Sequence, residues 1–464
     1  MITLELNQRA APDCSGISRR NFVRAGFLGL GSLTLADLLR MQSQAAEGSF
    51  IKDKSVVMVF LSGGASHIET FNPNMDGPEP SRSVTGSVAT SIPGTHLGGT
   101  FPRLAKLINN IAIVRSFAHN NGNHDQAISH VLTGGTDPNG QAALGFSIGA
   151  ATARLGGTNH PKTGFPSNVL LTAPHKDPQY NREIPRVVKG SRAGTLGDQF
   201  APFIPAGKGP AIDNLKLRLD ADQLEDRRTL LKQLDDLKQG LDSGTVSGTD
   251  QFDRQAVELL LNGSQSVFDI TKEPADVRKR YDTSSFKCGK KIFEPSVLGN
   301  QFLIARRLIE AGSRYVTIHS AGWDMHADGN NPGIKDGINM LGKPLDQALG
   351  CFMEDLQQRG MLDKVLIVVT GDFGRTPKIN NRGGRDHWAS LGTLAFMGGG
   401  IEGGPIIGQT DRNNAKPADK PYTTINMFAT VLNALFDVGT LRVQRGIPGD
   451  LMKAIEAPPI PIVG

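Results

Sequence analysis

The sequence predicts an α/β fold with a mostly parallel central sheet and helices on both faces. Three observations carry that reading. Six apolar runs are continuous rather than alternating, as strands covered on both sides must be. Helical patterns with one apolar face fall between them, so strand–helix–strand units recur. Several of the runs also lead into small clusters of Gly, Ser, Asp and His. Open α/β sheets bind their ligands at the carboxyl ends of strands.

The first forty-five residues stand apart from that pattern. Ser18-Arg19-Arg20-Asn21-Phe22-Val23 precedes a Gly-rich apolar run from Ala25 to Ala36. An arginine pair before a mild hydrophobic stretch predicts a twin-arginine export signal over residues 1–45, with small residues around Ser43-Gln44-Ala45-Ala46 as the cleavage site. The alternative is an uncleaved amphipathic helix. The expected partner is the twin-arginine export machinery, and the expected location is the periplasm or cell exterior. The run falls short of the ~20 residues that a bilayer span needs, and no later segment approaches that length, so no stable membrane span is expected.

The first strand is Val56-Val57-Met58-Val59-Phe60-Leu61, ending in Ser62-Gly63-Gly64. Ile111–Val114 is the second, with His119 and His124-Asp125 after it. Asn168–Leu171 is the third. Tyr315–Ile318 is the fourth and runs into Gly322-Trp323-Asp324-Met325-His326. Val365–Val369 is the fifth, ending in Thr370-Gly371-Asp372, and Thr393–Met397 is the sixth. A helix with Leu298, Phe302, Ala305 and Ile309 on one face stops at Gly312. Another carries Leu345, Leu349, Phe352 and Leu356, with Pro344 at its start and Gly360 at its end. A short helix is expected from Gln126 to Leu132. Residues 211–285 break the rhythm and read as a helical insertion within a domain spanning 46–464. Residues 72–100 and 400–420 read as loops.

Composition narrows the function classes. The chain has 464 residues and a net charge of +5. Residues 1–45 hold five basic and three acidic residues, which leaves 45 basic against 42 acidic beyond them. That balance excludes an electrostatic case for nucleic acid as a partner. Cys288 and Cys351 are the only cysteines past the signal, so no disulfide framework supports the fold.

Four strand ends carry the chemistry: Ser62 through His67, His119 with His124, Asp324-x-His326, and Asp372 followed by Arg375 and Asp386-His387. Asp and His are good ligands for a divalent metal. Residues two apart in extended chain point the same way, so Asp324 and His326 can grip one ion. Each piece alone has a plainer reading: a surface pair for Asp324-x-His326, a core histidine bonded to backbone for His119, a salt-bridge partner for Arg375. Asp372 directly behind five apolar strand residues is harder to assign to structure. Arg375 beside it suits an oxyanion clamp.

These residues resemble a secreted bacterial family, domain-of-unknown-function family 1501, which is described as sulfatase-like. The motifs are Leu61-Ser62-Gly63-Gly64-Ala65-Ser66, His124-Asp125 with Leu132-Thr133-Gly134-Gly135, Gly322–His326, Gly371-Asp372-Phe373-Gly374-Arg375-Thr376-Pro377 and Gly384-Arg385-Asp386-His387-Trp388. Ile425–Leu432 resembles the family's last helix. The resemblance runs from about Val56 to about Leu435. It implies an alkaline-phosphatase-like fold, and a superfamily that hydrolyses or transfers phosphate and sulfate esters with one or two divalent metals. By that resemblance Asp324, His326, Asp372 and His387 are the metal ligands, and His124 falls at the nucleophile position. Ser62 or Gly63 stands where the superfamily carries its first Asp, with His67 or Glu69 as replacements. Phe373 stands where a His ligand often follows.

The expected function is an exported metal-dependent hydrolase of phosphate or sulfate esters. Its substrate would be a sulfated or phosphorylated ester, and its cofactor zinc, manganese, calcium or magnesium. His124 would act as nucleophile or general base, Arg375 would neutralise charge, and Ser62 joins them as a catalytic candidate. The alternatives are a non-catalytic binding protein on the same fold, with a degenerate metal site, and a phosphomutase-like transferase.

Overall fold

In a computed structural model, residues 50–140, 145–205 and 267–463 are described. The predicted export signal lies outside the described residues, as does most of the predicted helical insertion. Its last part, from residue 267, contains a 3-10 turn at Ile270–Lys272 and a helix at Ala275–Tyr281.

All six predicted strands form: β1 (Ser55–Leu61), β2 (Ile111–Val114), β3 (Asn168–Leu171), β4 (Tyr315–Ser320), β5 (Val365–Gly371) and β6 (Leu394–Gly398). A seventh, β7 (Ile406–Ile407), lies in a segment read as loop, and two residues carry too little pattern to be seen in sequence. The spatial order is β7-β2-β6-β5-β1-β4-β3. β1 sits near the middle, parallel to β4 on one side and β5 on the other. Its seven residues SVVMVFL include six buried positions, which explains the unbroken apolar run. β3 is parallel to β4, and β7 to β2. In this sheet β6 alone is antiparallel to its neighbours, β5 and β2.

The helices used below are α1 (His124–Leu132), α2 (Ile148–Gly156), α3 (Glu183–Gly190), α4 (Ala275–Tyr281), α5 (Leu298–Glu310), α6 (Ile334–Gln358) and α7 (Thr424–Leu435). α5 and α6 share one core with Val57, Val59 and Leu61 of β1. Val56, Met58 and Phe60 point away from that core and are fully buried too. α7 packs on β1, and α2 on β3 and β4. The sheet is therefore covered on both faces, as its sequence requires.

α6 corrects one expectation. Pro344 does not start this helix but lies inside it, ten residues past Ile334. A proline there cannot bond to the carbonyl four residues back. That carbonyl, Met340 O, faces Cys288 Sγ at 3.9 Å instead. Two further helices, Val438–Arg442 and Gly449–Glu456, follow the one read as the last.

Because β1, β2, β4 and β5 run the same way, their carboxyl ends lie on one edge of the sheet. β6 runs oppositely, so its beginning reaches the same edge. That is why His387, seven residues before β6, arrives beside residues that follow the other strands.

Candidate metal centre

Asp324 is the hub. It leaves the end of β4 on a loop that crosses the exit of β1: Ser62 N–H donates to Ser320 O at 2.9 Å and Trp323 N–H to Ser62 O at 3.0 Å. The crossing leaves no room for a side chain at Gly63. A Cβ there would stand 2.5 Å from Asp324 N, and φ is +101°.

Three imidazoles turn their Nε2 atoms on the Asp324 carboxylate. His326 Nε2 lies 3.1 Å from Oδ2, His124 Nε2 3.3 Å from Oδ2, and His387 Nε2 3.3 Å from Oδ1. Their other nitrogens face acceptors. His124 Nδ1 bonds Asp372 Oδ2 at 2.7 Å, His387 Nδ1 bonds the Gly122 carbonyl at 2.9 Å, and His326 Nδ1 lies 3.6 Å from Asp328 Oδ2. A carboxylate and a backbone carbonyl only accept, so Nδ1 donates in the first two rings. A neutral ring then aims a lone pair from Nε2 at a carboxylate. That arrangement is stable only with a proton or a cation between them.

Each ring is held by its own element. His124 opens α1, capped by Asn123 through Asp125 N–H. Residues 383–385 bond the loop before α6, Ile334 N–H to Gly383 O at 3.0 Å and Arg385 N–H to Met325 O at 3.1 Å. A two-strand ribbon then pairs Arg375 with His387 and sets both on Asp324. Phe373 packs against the rings of His124 and His387, with centroids at 5.0 and 4.5 Å.

Charge in this site is strongly displaced. Burial opposes ionisation of Asp324, but the Arg375 guanidinium and the bonds from His124, His326 and His387 outweigh it and hold the carboxyl far below its ordinary range. Burial likewise opposes a charged His124, yet bonds to Asp324 and Asp372 push it up to about 9.

The structure thus brings Asp324, His326, Asp372, His387 and His124 together. His124, Asp324 and His387 offer ligand atoms within 4.8 Å of one another. Asp372 sits deeper: it is fully buried, accepts Gly63 N–H at 3.1 and 3.2 Å, and orients His124. His119 holds Asp372 in turn, its Nε2–H donating to the Asp372 carbonyl at 2.6 Å while Nδ1 accepts from Asn121 N–H.

Two of the candidates turn into the protein. Arg375 is the first. It is fully buried, and its donors go to the carbonyls of Gly63, Gly64 and Arg385 and, at 2.6 Å, to Asp324 Oδ1. Ser62 is fully buried as well, bonded to Glu183 and to His319 Nε2. His67 and Glu69 lie elsewhere: His67 bonds Asn414 O at 3.0 Å, and Glu69 pairs with the buried Arg385 at 3.1 Å.

Sequence reasoning missed Asn331 and Glu183. Asn331 Nδ2 lies 3.3 Å from Asp324 Oδ2 and 3.2 Å from His326 Nε2, while its buried Oδ1 has no partner. Glu183 enters from the first turn of α3. Neither sits in a spacing that marks it.

A family model described as "Protein of unknown function (DUF1501)" matches residues 53–441. Comparison with curated protein sequences gives no match. Among solved structures the chain is similar to a lipoteichoic acid synthase from Listeria monocytogenes, with 13% identity, 88% of this chain and 78% of that one covered, and a TM-score of 0.37. It is similar to a phosphonate monoester hydrolase from Silicibacter pomeroyi at 10% identity, covering 82% and 73%, with a TM-score of 0.37. An alkaline phosphatase from the Antarctic bacterium TAB5 follows at 15% identity, 82% and 97%, and a TM-score of 0.35.

Proposed function

This chain belongs to the DUF1501 family, and from that footing we propose that it is a metal-dependent hydrolase of phosphate or sulfate esters, exported to the cell envelope. One observation carries the metal: three imidazoles are anchored through Nδ1 or face an acid there, and all three Nε2 atoms converge on one carboxylate. Anchoring the outer nitrogen to fix the inner one is the usual arrangement around a metal-binding histidine. The donor set also fits. Imidazole and carboxylate together suit zinc or manganese, and the orphaned Oδ1 of Asn331 offers one more oxygen beside them.

On this reading His124, Asp324, His326 and His387 hold the ion, and Asp372 orients His124 rather than binding. When bound, a divalent cation supplies Lewis acidity toward an ester oxygen. Arg375 fixes Asp324 from behind. Phe373 packs against two of the rings and helps fix their planes. α1 begins at His124, so its positive dipole end lies beside the site and favours an anionic substrate. With His124 serving as a ligand and Ser62 buried among protein partners, neither would act as nucleophile, and water would be the attacking group.

The likeness of the family's motifs to the alkaline-phosphatase superfamily supports the ester class. The test is elemental analysis of the purified mature protein followed by assay against aryl phosphates and aryl sulfates. Near-stoichiometric metal with hydrolysis abolished in His387→Ala is the expected result. Stoichiometric metal without turnover of any ester would replace the enzyme by a metal-holding binding protein. Absence of metal, with no gain on adding zinc or manganese, would sink both readings. Export is tested by Arg19 and Arg20 both changed to Lys, which should leave the chain in the cytoplasm.

A further inference from the structure

Behind the ligand cluster lies a second buried polar group that the proposed reaction does not use. Ser62 Oγ sits between two titratable side chains. It bonds a Glu183 carboxyl oxygen on one side and His319 Nε2, at 2.6 Å, on the other. Ser62, Glu183 and His319 are 0, 3 and 2% exposed. Glu183 is held by Gly322 N–H, 3.2 Å from each oxygen. His319 Nδ1 has no hydrogen-bond partner, and His319 lines a cavity of about 30 Å³ together with His175, Glu294, Cys288 and Gln301. That volume holds about one or two waters. His175 and Glu294, bonded at 2.8 Å, are partly exposed and connect the cavity to solvent.

A hydroxyl has one proton to give, so this chain has two self-consistent states. In one, the Glu183 acid donates to Ser62, Ser62 donates to His319 Nε2, and Nδ1 carries the ring proton into the cavity. In the other, Nε2–H donates to Ser62, Ser62 donates to the Glu183 carboxylate, and Nδ1 is bare. They differ by one proton, and the same heavy-atom contacts serve both.

We propose that Ser62 is a proton relay joining Glu183 to His319, through which the buried carboxyl exchanges its proton with solvent in the His175 cavity and not across the ligand cluster. In the outward direction the Glu183 proton moves to Ser62 Oγ, the Ser62 proton to His319 Nε2, and the Nδ1 proton to water. One proton leaves and Glu183 gains one negative charge. Burial raises the carboxyl, the Ser62 bond opposes this, and the nearby Asp372 charge adds to it, leaving Glu183 at about 8. His124 and Tyr180 also face it, and His175 faces His319. If the metal reading holds, an arriving cation would draw this proton off through the cavity. The relay itself does not depend on that reading.

The test is spectroscopic. The carbonyl stretch of protonated Glu183, assigned through Glu183→Gln, is followed against pH by infrared difference, and the His319 ring by ¹⁵N NMR with labelled histidine. The expected result is loss of the carboxyl band and a switch of His319 from Nδ1–H to Nε2–H with one midpoint. Ser62→Ala should uncouple the two, and Ser62→Thr should restore the coupling. A His319 tautomer that stays fixed while Glu183 titrates in the wild type overturns the relay, without need of any variant. So does a coupled switch that survives in Ser62→Ala. Metal content and ester turnover, measured on the same preparation, stand or fall separately.

Discussion

Two buried charge clusters among the described residues settle their charge in two different ways. Between α4, α5 and α6, Arg306 is 1% exposed and meets Glu273 at 2.5 Å, Glu310 at 2.6 Å and Asp355 at 3.0 Å. Arg359 closes the same group from outside, on Asp355 at 3.0 Å and Glu310 at 3.2 Å, and Tyr281 donates to Asp355. Every carboxylate there faces a guanidinium, whose charge is permanent. At the strand ends, Asp324 and Asp372 have one guanidinium, Arg375, and imidazoles that carry charge only when protonated. The helix-layer cluster is closed within the protein. The strand-end cluster is left to a proton or an outside cation, which is what separates a structural ion network from a site able to exchange one.

That contrast can be broken most forcefully at Arg306. Arg306→Met removes the buried guanidinium shared by Glu273, Glu310 and Asp355, leaving Glu273 to Arg307 and Asp355 to Arg359, and should cost about 3 kcal/mol in denaturant unfolding, with metal content per folded chain unchanged. A loss under about 1 kcal/mol would mean that the network is not closed in the way described.

pH gives the next contrast. The folded carboxyl of Glu183 is raised from 4.5 to about 8, mainly by burial. Below pH 4.5 it is protonated folded or unfolded, and its effect vanishes. Between 4.5 and 8 only the unfolded chain releases the proton, so this group removes stability as pH rises. His319 is lowered to about 3 by burial and works in the opposite sense below the ordinary histidine range. The measurable quantity is therefore a difference. From pH 5 to 8, Glu183→Gln should gain on wild type by a few kcal/mol, since each pH unit spent between the unfolded and folded midpoints costs the wild type at most ~1.4 kcal/mol. Parallel stability curves would refute the raised carboxyl.

Metal supplies the third. Saturating zinc or manganese at about 100 times Kd should stabilise the wild type by about 2.7 kcal/mol, seen as a higher Tm that chelator reverses. His387→Ala should lose that response and Arg306→Met should keep it. If both respond alike, the ion sits somewhere else. The smallest effect belongs to Asn331→Ala. Removing a side chain that orients Asp324 and His326 should weaken metal binding about tenfold, ~1.4 kcal/mol, by isothermal titration.

Legibility in the sequence followed the kind of constraint involved. β1 and β5 show as unbroken apolar runs because both of their faces are covered, and the residues that follow such runs must lie on one edge. Asp324, Asp372 and His124 were readable for that reason. His387 was readable from its motif, although the antiparallel entry of β6 that places it is a matter of topology. Arg375 lies close behind Asp372, but only its ribbon pairing with His387 decides that it points inward. Glu183 looks like an ordinary acid in the first turn of a helix, and nothing in the order of residues says that this turn is driven under β1. Pro344 marks a helix start in most contexts. Here a 25-residue helix continues through it.

The position of β1 carries a consequence for how the chain is made. The sheet's inner strand is the first to leave the ribosome, and both of its neighbours come from the far half of the sequence. Through most of synthesis this seven-residue apolar segment has no partner. The intervening strands β2 and β3 are adjacent neither to it nor to each other. The sheet cannot grow outward from β1 as the chain emerges; it waits for β4 and β5 and then closes around the oldest segment. Long-range parallel pairing of this kind is slow and leaves sticky surface exposed. The nascent chain is therefore a natural client for a holding chaperone, and a chain stalled before Tyr315 carries β1 with neither of its neighbours yet made.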